Sequence, residues 1–187
     1  MPSPIAHAAA GYLVSRYLSK HCKGISPGMV WAGVALSLLP DVDAVVGLLL
    51  GDMGRYHNQM MCTPLFALIF SIVTGLAGWH WRGAFRPWFI LAFSCYLLHI
   101  TLDFFTHGRG IMLLWPLSEE RFRPPFTIFY GVHWSDGLFS SRHIWTALTE
   151  IATFAAVWLL LALYVYLRER RTSTRQRAAA DITSRHP

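Results

Sequence analysis

Residues 87–107 read PWFILAFSCYLLHITLDFFTH, an apolar run of the length that a helix needs to cross a bilayer. Its C-terminal end carries three side chains that can bind metal ions: His99, Asp103 and His107. They are spaced four residues apart, so on a helix they form one stripe. Ionisable groups within a membrane helix are costly unless they have partners. The stretch therefore predicts a membrane-spanning helix whose polar stripe meets partners from elsewhere in the chain.

The composition indicates an integral membrane protein. Of the 187 residues, 54% are hydrophobic and 14% are charged, and the mean hydropathy is +0.39. The net charge is +6, and much of it lies in the tail after Leu167. Because the cations flank apolar segments, the positive-inside rule explains them better than nucleic-acid binding does, and no nucleic-acid partner is expected. The three cysteines are odd in number and widely separated, so they predict neither a disulfide framework nor a CxxC zinc motif.

The apolar segments predict an all-α polytopic bundle of about five helices. They cover residues 3–20, 28–40, 61–81, 87–107 and 144–167, and a long connection covers 108–143. The second helix is expected to end at Pro40, before an Asp-containing turn. Residues 1–167 are predicted to be one membrane-embedded domain, and residues 168–187 a basic, disordered cytoplasmic tail.

The distribution of Lys and Arg predicts an orientation. The basic tail is placed in the cytoplasm, together with Lys20, Lys23, Arg82 and Arg86 at the ends of other helices. All the candidate metal ligands then lie toward the outer face, although they played no part in fixing the orientation. Four arginines in the connection 108–143 weaken this charge bias. We expect a bacterial-type inner membrane protein with its site toward the outer face.

Several His and Asp residues form the candidate metal ligands. Neutral imidazole and carboxylate together suit zinc or another first-row divalent ion, in one copy or more. The predicted ligands are His7, Asp41, Asp43, His57, His99, Asp103 and His107. Further possible members of the site are Cys62, His133, Asp136, His143 and Glu150. The simpler alternatives are a buried His–Asp hydrogen bond for the pair on the fourth helix, a helix cap for the Pro-Asp-Val-Asp turn, and a packed thiol for the cysteine.

Four motifs together resemble the YdjM-like family of membrane-bound metal-dependent hydrolases. They are SPIAHAAAG at 3–11, PDVD at 40–43, LLHxxLDxxT at 97–106 and LLWPL at 113–117. The family is grouped with zinc-dependent phospholipases C and helical nucleases, so the resemblance implies phosphoester hydrolysis. The resemblance implies that the family's ligand positions are the predicted ligands named above except His107. His107 looks like an addition to the family's pattern. There is one departure: the family usually has Thr-His-Ser where this chain has Met61-Cys62-Thr63.

These observations predict a hydrolase in which a metal-activated water attacks a phosphoester of a lipid or lipid-linked substrate. Asp41, Asp43 and Asp103 are the predicted catalytic carboxylates, as ligands or general base. The alternative is a non-enzymatic membrane protein, either a metal transporter or a scaffold with structural histidines. A transporter needs ligands near the midplane and a path to both sides, whereas the polar residues here concentrate at one end of the spans. The sequence leaves the substrate, the metal and the oligomeric state open.

Overall fold

The computed structural model describes residues 1–51, 60–132 and 140–184, and these residues form an all-helical fold. Short 3-10 turns at Pro27–Met29, Leu39–Asp41 and Met60–Cys62 precede or link some of the helices. The helices are α1 (Pro4–His21), α2 (Val30–Leu38), α3 (Val42–Leu49), α4 (Pro64–Arg82), α5 (Phe85–Phe104) and α6 (Arg142–Ser184).

Two of the helix starts follow from capping residues. Ser3 precedes α1, and its hydroxyl accepts a hydrogen bond from the Ala6 amide at 3.2 Å. Thr63 caps α4 in the same way, with a bond from the Phe66 amide at 3.4 Å. In both helices a proline follows the cap, at the position where its missing N–H costs nothing.

The α-helix α2 ends at Leu38, close to the predicted end at Pro40, but the helical run continues beyond this point. A 3-10 turn, Leu39–Asp41, joins α2 to α3, and together with the turn at Pro27 they form one helical run, Pro27–Gly47. Pro40 lies inside the 3-10 turn, where its fixed φ fits. Asp41 therefore ends this turn, four residues after Ser37, and Asp43 lies in the first turn of α3.

Four helical runs in the described part of the chain are long and apolar enough to cross a membrane. They are Pro27–Gly47, Pro64–Arg82, Phe85–Phe104 and Arg142–Arg168. With α1, the structure has five helical units, and this confirms the predicted all-α membrane fold. The backbone of α6 is helical through residues 168–184. The division into a membrane domain, residues 1–167, and a disordered tail, residues 168–187, stays a prediction.

The chain divides into two compact units, Met1–Glu150 and Ile151–Pro187. In the first unit α5 is central and packs against α1, α2 and α4. Close approach between α1 and α2 depends on small residues: a side chain at Gly33 would overlap the hydroxyl of Ser15. The second unit contains most of α6, including its apolar stretch up to residue 167.

The connection after α5 contacts the first residues of the chain. Its backbone is held by isolated bridges, Thr106 with Phe129 and Ile111 with Phe122. The Val132 amide donates to the Met1 carbonyl at 2.7 Å, and the Thr146 hydroxyl donates to the Gly131 carbonyl at 2.7 Å. The N-terminal residues are thereby fixed between the connection and the start of α6.

Candidate metal centre

The last turn of α5 supplies a His–Asp pair. His99 and Asp103 lie one helical turn apart, and neither side chain is exposed. His99 Nε2 and Asp103 Oδ2 are 3.4 Å apart. The four-residue spacing predicted this pairing, because side chains at i and i+4 share a helix face.

Two other elements bring their ligands to this pair. The His7 ring, from the first turns of α1, stacks on the His99 ring with centroids 3.8 Å apart. His7 Nε2 lies 3.3 Å from Asp103 Oδ1, and Asp41 Oδ1 lies 3.5 Å from His99 Nε2. One ligand atom from each of these four residues falls within 4.8 Å of all the others. Residues from three separate parts of the sequence thus converge on one small volume.

Ser37 fixes the orientation of His99. The carbonyl oxygen of Ser37 lies 2.8 Å from His99 Nδ1. A carbonyl can only accept, so Nδ1 carries the proton and Nε2 is left facing the carboxylates. The Ser37 hydroxyl also donates to the His7 carbonyl at 2.8 Å, which ties α2 to α1 beside the same ring. A histidine that binds a metal through one ring nitrogen usually donates a hydrogen bond from its other ring nitrogen, as His99 Nδ1 does to the Ser37 carbonyl.

The electrostatics of the cluster fit a cation. With Nδ1 bonded to the Ser37 carbonyl, His99 presents Nε2 to oxygens of Asp41 and Asp103. A neutral His99 would direct a lone pair at these oxygens and be repelled unless a metal ion lay between the atoms, whereas a protonated His99 would form an ion pair with the carboxylates. The separations of 3.3–3.5 Å exceed those of about 2.7–2.9 Å typical of charge-assisted hydrogen bonds. A second imidazolium is disfavoured, because the rings of His7 and His99 are stacked.

His7 has the properties of a neutral ligand. Its side chain is fully buried, and neither ring nitrogen makes a hydrogen bond of good geometry within the part of the chain that the structure describes. Burial and the nearby His99 lower the pKa of His7 to about 4. A neutral imidazole aimed into a carboxylate cluster is the form that binds divalent ions, so the donor set fits a metal such as zinc.

Cys62 lies beside the four ligands. Its Sγ is 3.6 Å from Asp103 Oδ2 and 3.9 Å from His99 Nε2, and the residue is wholly buried. The Tyr96 hydroxyl donates to the Met61 carbonyl at 2.8 Å and so holds the 3-10 turn against α5. Burial, together with the carboxylate charge of the cluster, raises the pKa of the Cys62 thiol.

The two remaining acids of the site differ in position. Asp43, in the first turn of α3, is 8% exposed, and its charge acts on the Cys62 thiol. Glu150 is buried, but it contacts the start of α1 and not the ligands: both its oxygens accept from Ser3, one from the amide and one from the hydroxyl at 2.7 Å. Glu150 therefore holds the helix end that carries His7.

Some predicted site residues lie elsewhere. The helix α5 ends at Phe104, so the stripe stops before His107, which is exposed and stacks its ring on Tyr130 at 6.4 Å. His143 is half-buried at the start of α6 and is outside the four-ligand group. Three predicted or possible ligands fall outside the described residues: His57, His133 and Asp136.

The sequence did not indicate the residues that support the candidate ligands. Ser37 acts on His99 through its backbone carbonyl, which every residue type has. The signal in the sequence is its position four residues before Asp41, which places Ser37 and Asp41 on one face of a helix. Tyr96 is a buried core residue, and its hydroxyl also anchors the turn that carries Cys62.

The fold and this cluster define a polytopic helical membrane protein with a buried group of His and Asp side chains that could hold a metal ion. The chain matches the family model of the YdjM inner membrane protein over residues 1–171, and it belongs to that family. It is 28% identical over 173 residues to the inner membrane protein YbcI of Escherichia coli (strain K12), covering 84% of this chain and 98% of that protein. No solved structure matches the chain.

Proposed function

We propose that this protein is a membrane-bound, metal-dependent hydrolase that cleaves a phosphoester of a lipid or lipid-linked substrate. The observation that carries the proposal is the convergence of His7, Asp41, His99 and Asp103, with ligand atoms within 4.8 Å of one another, in an otherwise apolar bundle. Burying this many ionisable groups is costly unless they pair with one another or share a cation. The likeness of the motifs to phosphoester hydrolases supports the class of reaction.

The two imidazoles and two carboxylates are the donors available to the ion, and a hydrolytic ion would use fewer than four of them because water must occupy one position. Mixed nitrogen and oxygen donors of this kind suit zinc or another first-row divalent metal. When bound, such an ion supplies Lewis-acid stabilisation of a phosphoester oxygen and lowers the pKa of a water molecule. The Ser37 carbonyl keeps His99 in the ligand tautomer, and α1 and α5 hold His7 and Asp103 at a fixed separation.

Asp41 marks the accessible edge of the cluster. Its side chain is 12% exposed, whereas the side chains of His7, His99 and Asp103 are fully buried. Substrate would therefore reach the site from the Asp41 edge. In this proposal a carboxylate at this edge, Asp41 or Asp43, would accept a proton from the attacking water as general base.

The proposed orientation puts this site toward the outer face of the inner membrane. Lys20 and Lys23 lie at the end of α1 remote from His7, and Arg82 and Arg86 lie at the junction of α4 and α5, remote from His99. The positive-inside rule assigns both ends to the cytoplasm, together with the basic residues that follow Leu167.

A transporter is the weaker alternative. Transport requires binding groups near the midplane and access from both sides. In the described helices, the buried polar residues away from the cluster include Ser15 and Ser71, and each donates to a carbonyl of its own helix. The described residues contain one group of converging metal-ligand atoms, at one end of the bundle.

Metal analysis tests the centre directly. Protein purified in detergent without added metal is expected to contain zinc or another first-row ion, and His99→Ala is expected to lose it. His80→Ala, at an exposed position near the end of α4, is the matched control and should retain the metal. Wild-type protein that neither contains nor takes up a divalent ion would refute the proposal.

Activity tests the reaction. The purified protein should hydrolyse a phosphodiester in mixed micelles, lose this activity in EDTA and regain it with zinc. A metal-loaded protein that hydrolyses no phosphoester, in micelles of bacterial phospholipids or of lipid-linked phosphates, would leave a metal-binding membrane protein without the proposed activity.

A further inference from the structure

We propose that Cys62 is a sulfur ligand of this centre and makes it select a thiophilic divalent ion. The inference rests on the metal centre proposed above and deepens it by naming the class of ion.

The distances agree with ligands around one ion. Sγ of Cys62, Nε2 of His99 and Oδ2 of Asp103 form a triangle with sides of 3.9, 3.6 and 3.4 Å. Tetrahedral zinc binds sulfur at about 2.3 Å and nitrogen or oxygen at about 2.0–2.2 Å, which places pairs of ligands roughly 3.3–3.6 Å apart. Each side of the triangle is thus within about 0.4 Å of what one shared ion requires.

The thiol is also held in place by its surroundings. Cys62 ends a 3-10 turn whose preceding carbonyl receives the Tyr96 hydroxyl at 2.8 Å, and Thr63 then caps α4. The residue has no exposed surface. A metal site gains from this arrangement because its ligands need no rearrangement on binding.

A second buried cysteine, Cys95, has a packing role and serves as a comparison for Cys62. Cys95 is also wholly buried, one turn before His99 on α5. Its Sγ lies 3.4 Å from the hydroxyl of Ser15, a neutral partner, within an apolar cluster with Leu18 and Leu91. Cys62 instead faces a histidine and a carboxylate of the ligand group, so the two thiols form a matched pair for experiments.

Sulfur ligation changes which ions the centre favours. Thiolates prefer zinc, cadmium and cobalt over magnesium, calcium and manganese, which take oxygen ligands. On binding, the S–H bond is replaced by a sulfur–metal bond and the proton leaves to the buffer, with no change of oxidation state. The centre should therefore hold zinc-like ions in the presence of excess magnesium.

Cobalt(II) provides the spectroscopic probe. Full-length protein in detergent is stripped with chelator and loaded with Co²⁺; we expect visible bands from the bound ion and a near-ultraviolet sulfur-to-cobalt charge-transfer band. Cys62→Ser should lose the charge-transfer band, keep the visible bands and bind Cd²⁺ at least about tenfold more weakly. Cys95→Ser should behave as wild type.

A second variant avoids any dependence on the folding of Cys62→Ser. Cys22→Ser/Cys95→Ser leaves Cys62 as the one thiol of the chain, and its charge-transfer band should persist. Visible cobalt bands without a charge-transfer band in wild type would overturn this inference and leave the metal centre standing. Failure of wild type to bind Co²⁺, Cd²⁺ or Zn²⁺ would refute the proposed centre itself.

Discussion

At the residue scale, Asp103 links the two histidines. Its Oδ1 lies 3.3 Å from His7 Nε2, and its Oδ2 lies 3.4 Å from His99 Nε2. The two oxygens of one carboxylate therefore face ring nitrogens from two different helices.

Replacing this carboxylate should empty the centre. In Asp103→Asn one oxygen becomes an NH₂ group, which cannot bind a metal, while the side-chain shape is kept. We expect the zinc content per protein, measured by elemental analysis, to fall at least about tenfold. His107→Ala, four residues further along the chain, should keep the wild-type content. Equal zinc in Asp103→Asn and wild type would contradict this assignment.

At the element scale, the position of His7 depends on how the start of α1 is held. Ser3 donates twice to Glu150, and the Met1 carbonyl accepts from Val132. These bonds fix a helix end that lies one turn before His7. Glu150 is thus a positioning residue, even though it lies outside the ligand group.

Glu150→Gln should loosen this attachment. The amide keeps one acceptor oxygen and loses the other, so one of the two Ser3 bonds is lost and the charge is removed. We expect the free energy of unfolding to fall by about 1.5–3 kcal/mol, the range for hydrogen bonds to charged groups. Thermal unfolding in detergent would show this as a lower Tm. Glu119→Gln, at an exposed position in the connection, should leave Tm unchanged.

The contact of α1 with α2 provides a second prediction at this scale. In Gly33→Ala the added methyl group would overlap the Ser15 hydroxyl and lie 3.1 Å from Leu91 Cδ1. Overpacking of this kind costs about 1–3 kcal/mol, so Tm should fall. Gly28→Ala meets its nearest atom at 3.8 Å and should be neutral. A Gly33→Ala protein as stable as Gly28→Ala would show that these helices do not depend on close packing.

At the scale of the whole molecule, the orientation in the membrane is open to test. Leu117 is 91% exposed in the connection that is expected to lie outside, and Gly28 lies at the turn that is expected inside. A membrane-impermeant maleimide should label Leu117→Cys in intact spheroplasts. It should label Gly28→Cys only after permeabilisation. The reverse pattern would place the metal centre at the cytoplasmic face.

The sequence predicted the helices better than their ends. Long apolar runs were sufficient to locate α4 and α5, because the length and hydropathy of a span are properties of contiguous residues. The sequence predicts a helix end at Pro40, and α2 ends nearby at Leu38, but a 3-10 turn then leads into α3. The sequence also predicts His107 as part of the stripe, whereas α5 ends at Phe104. Whether a helix continues depends on the packing around its end, which no local pattern contains.

The sequence by itself determined which side chains were available and how some of them were spaced. His99 and Asp103 could be paired from their spacing, since helical periodicity is a local property. Only the tertiary structure decided that His7 stacks on His99, that the Ser37 carbonyl sets the tautomer, and that Cys62 lies beside the cluster while Glu150 does not. The physical reason is that convergence depends on how closely α1, α2 and α5 approach. That approach is set by contacts between residues far apart in the chain, such as Gly33 with Ser15.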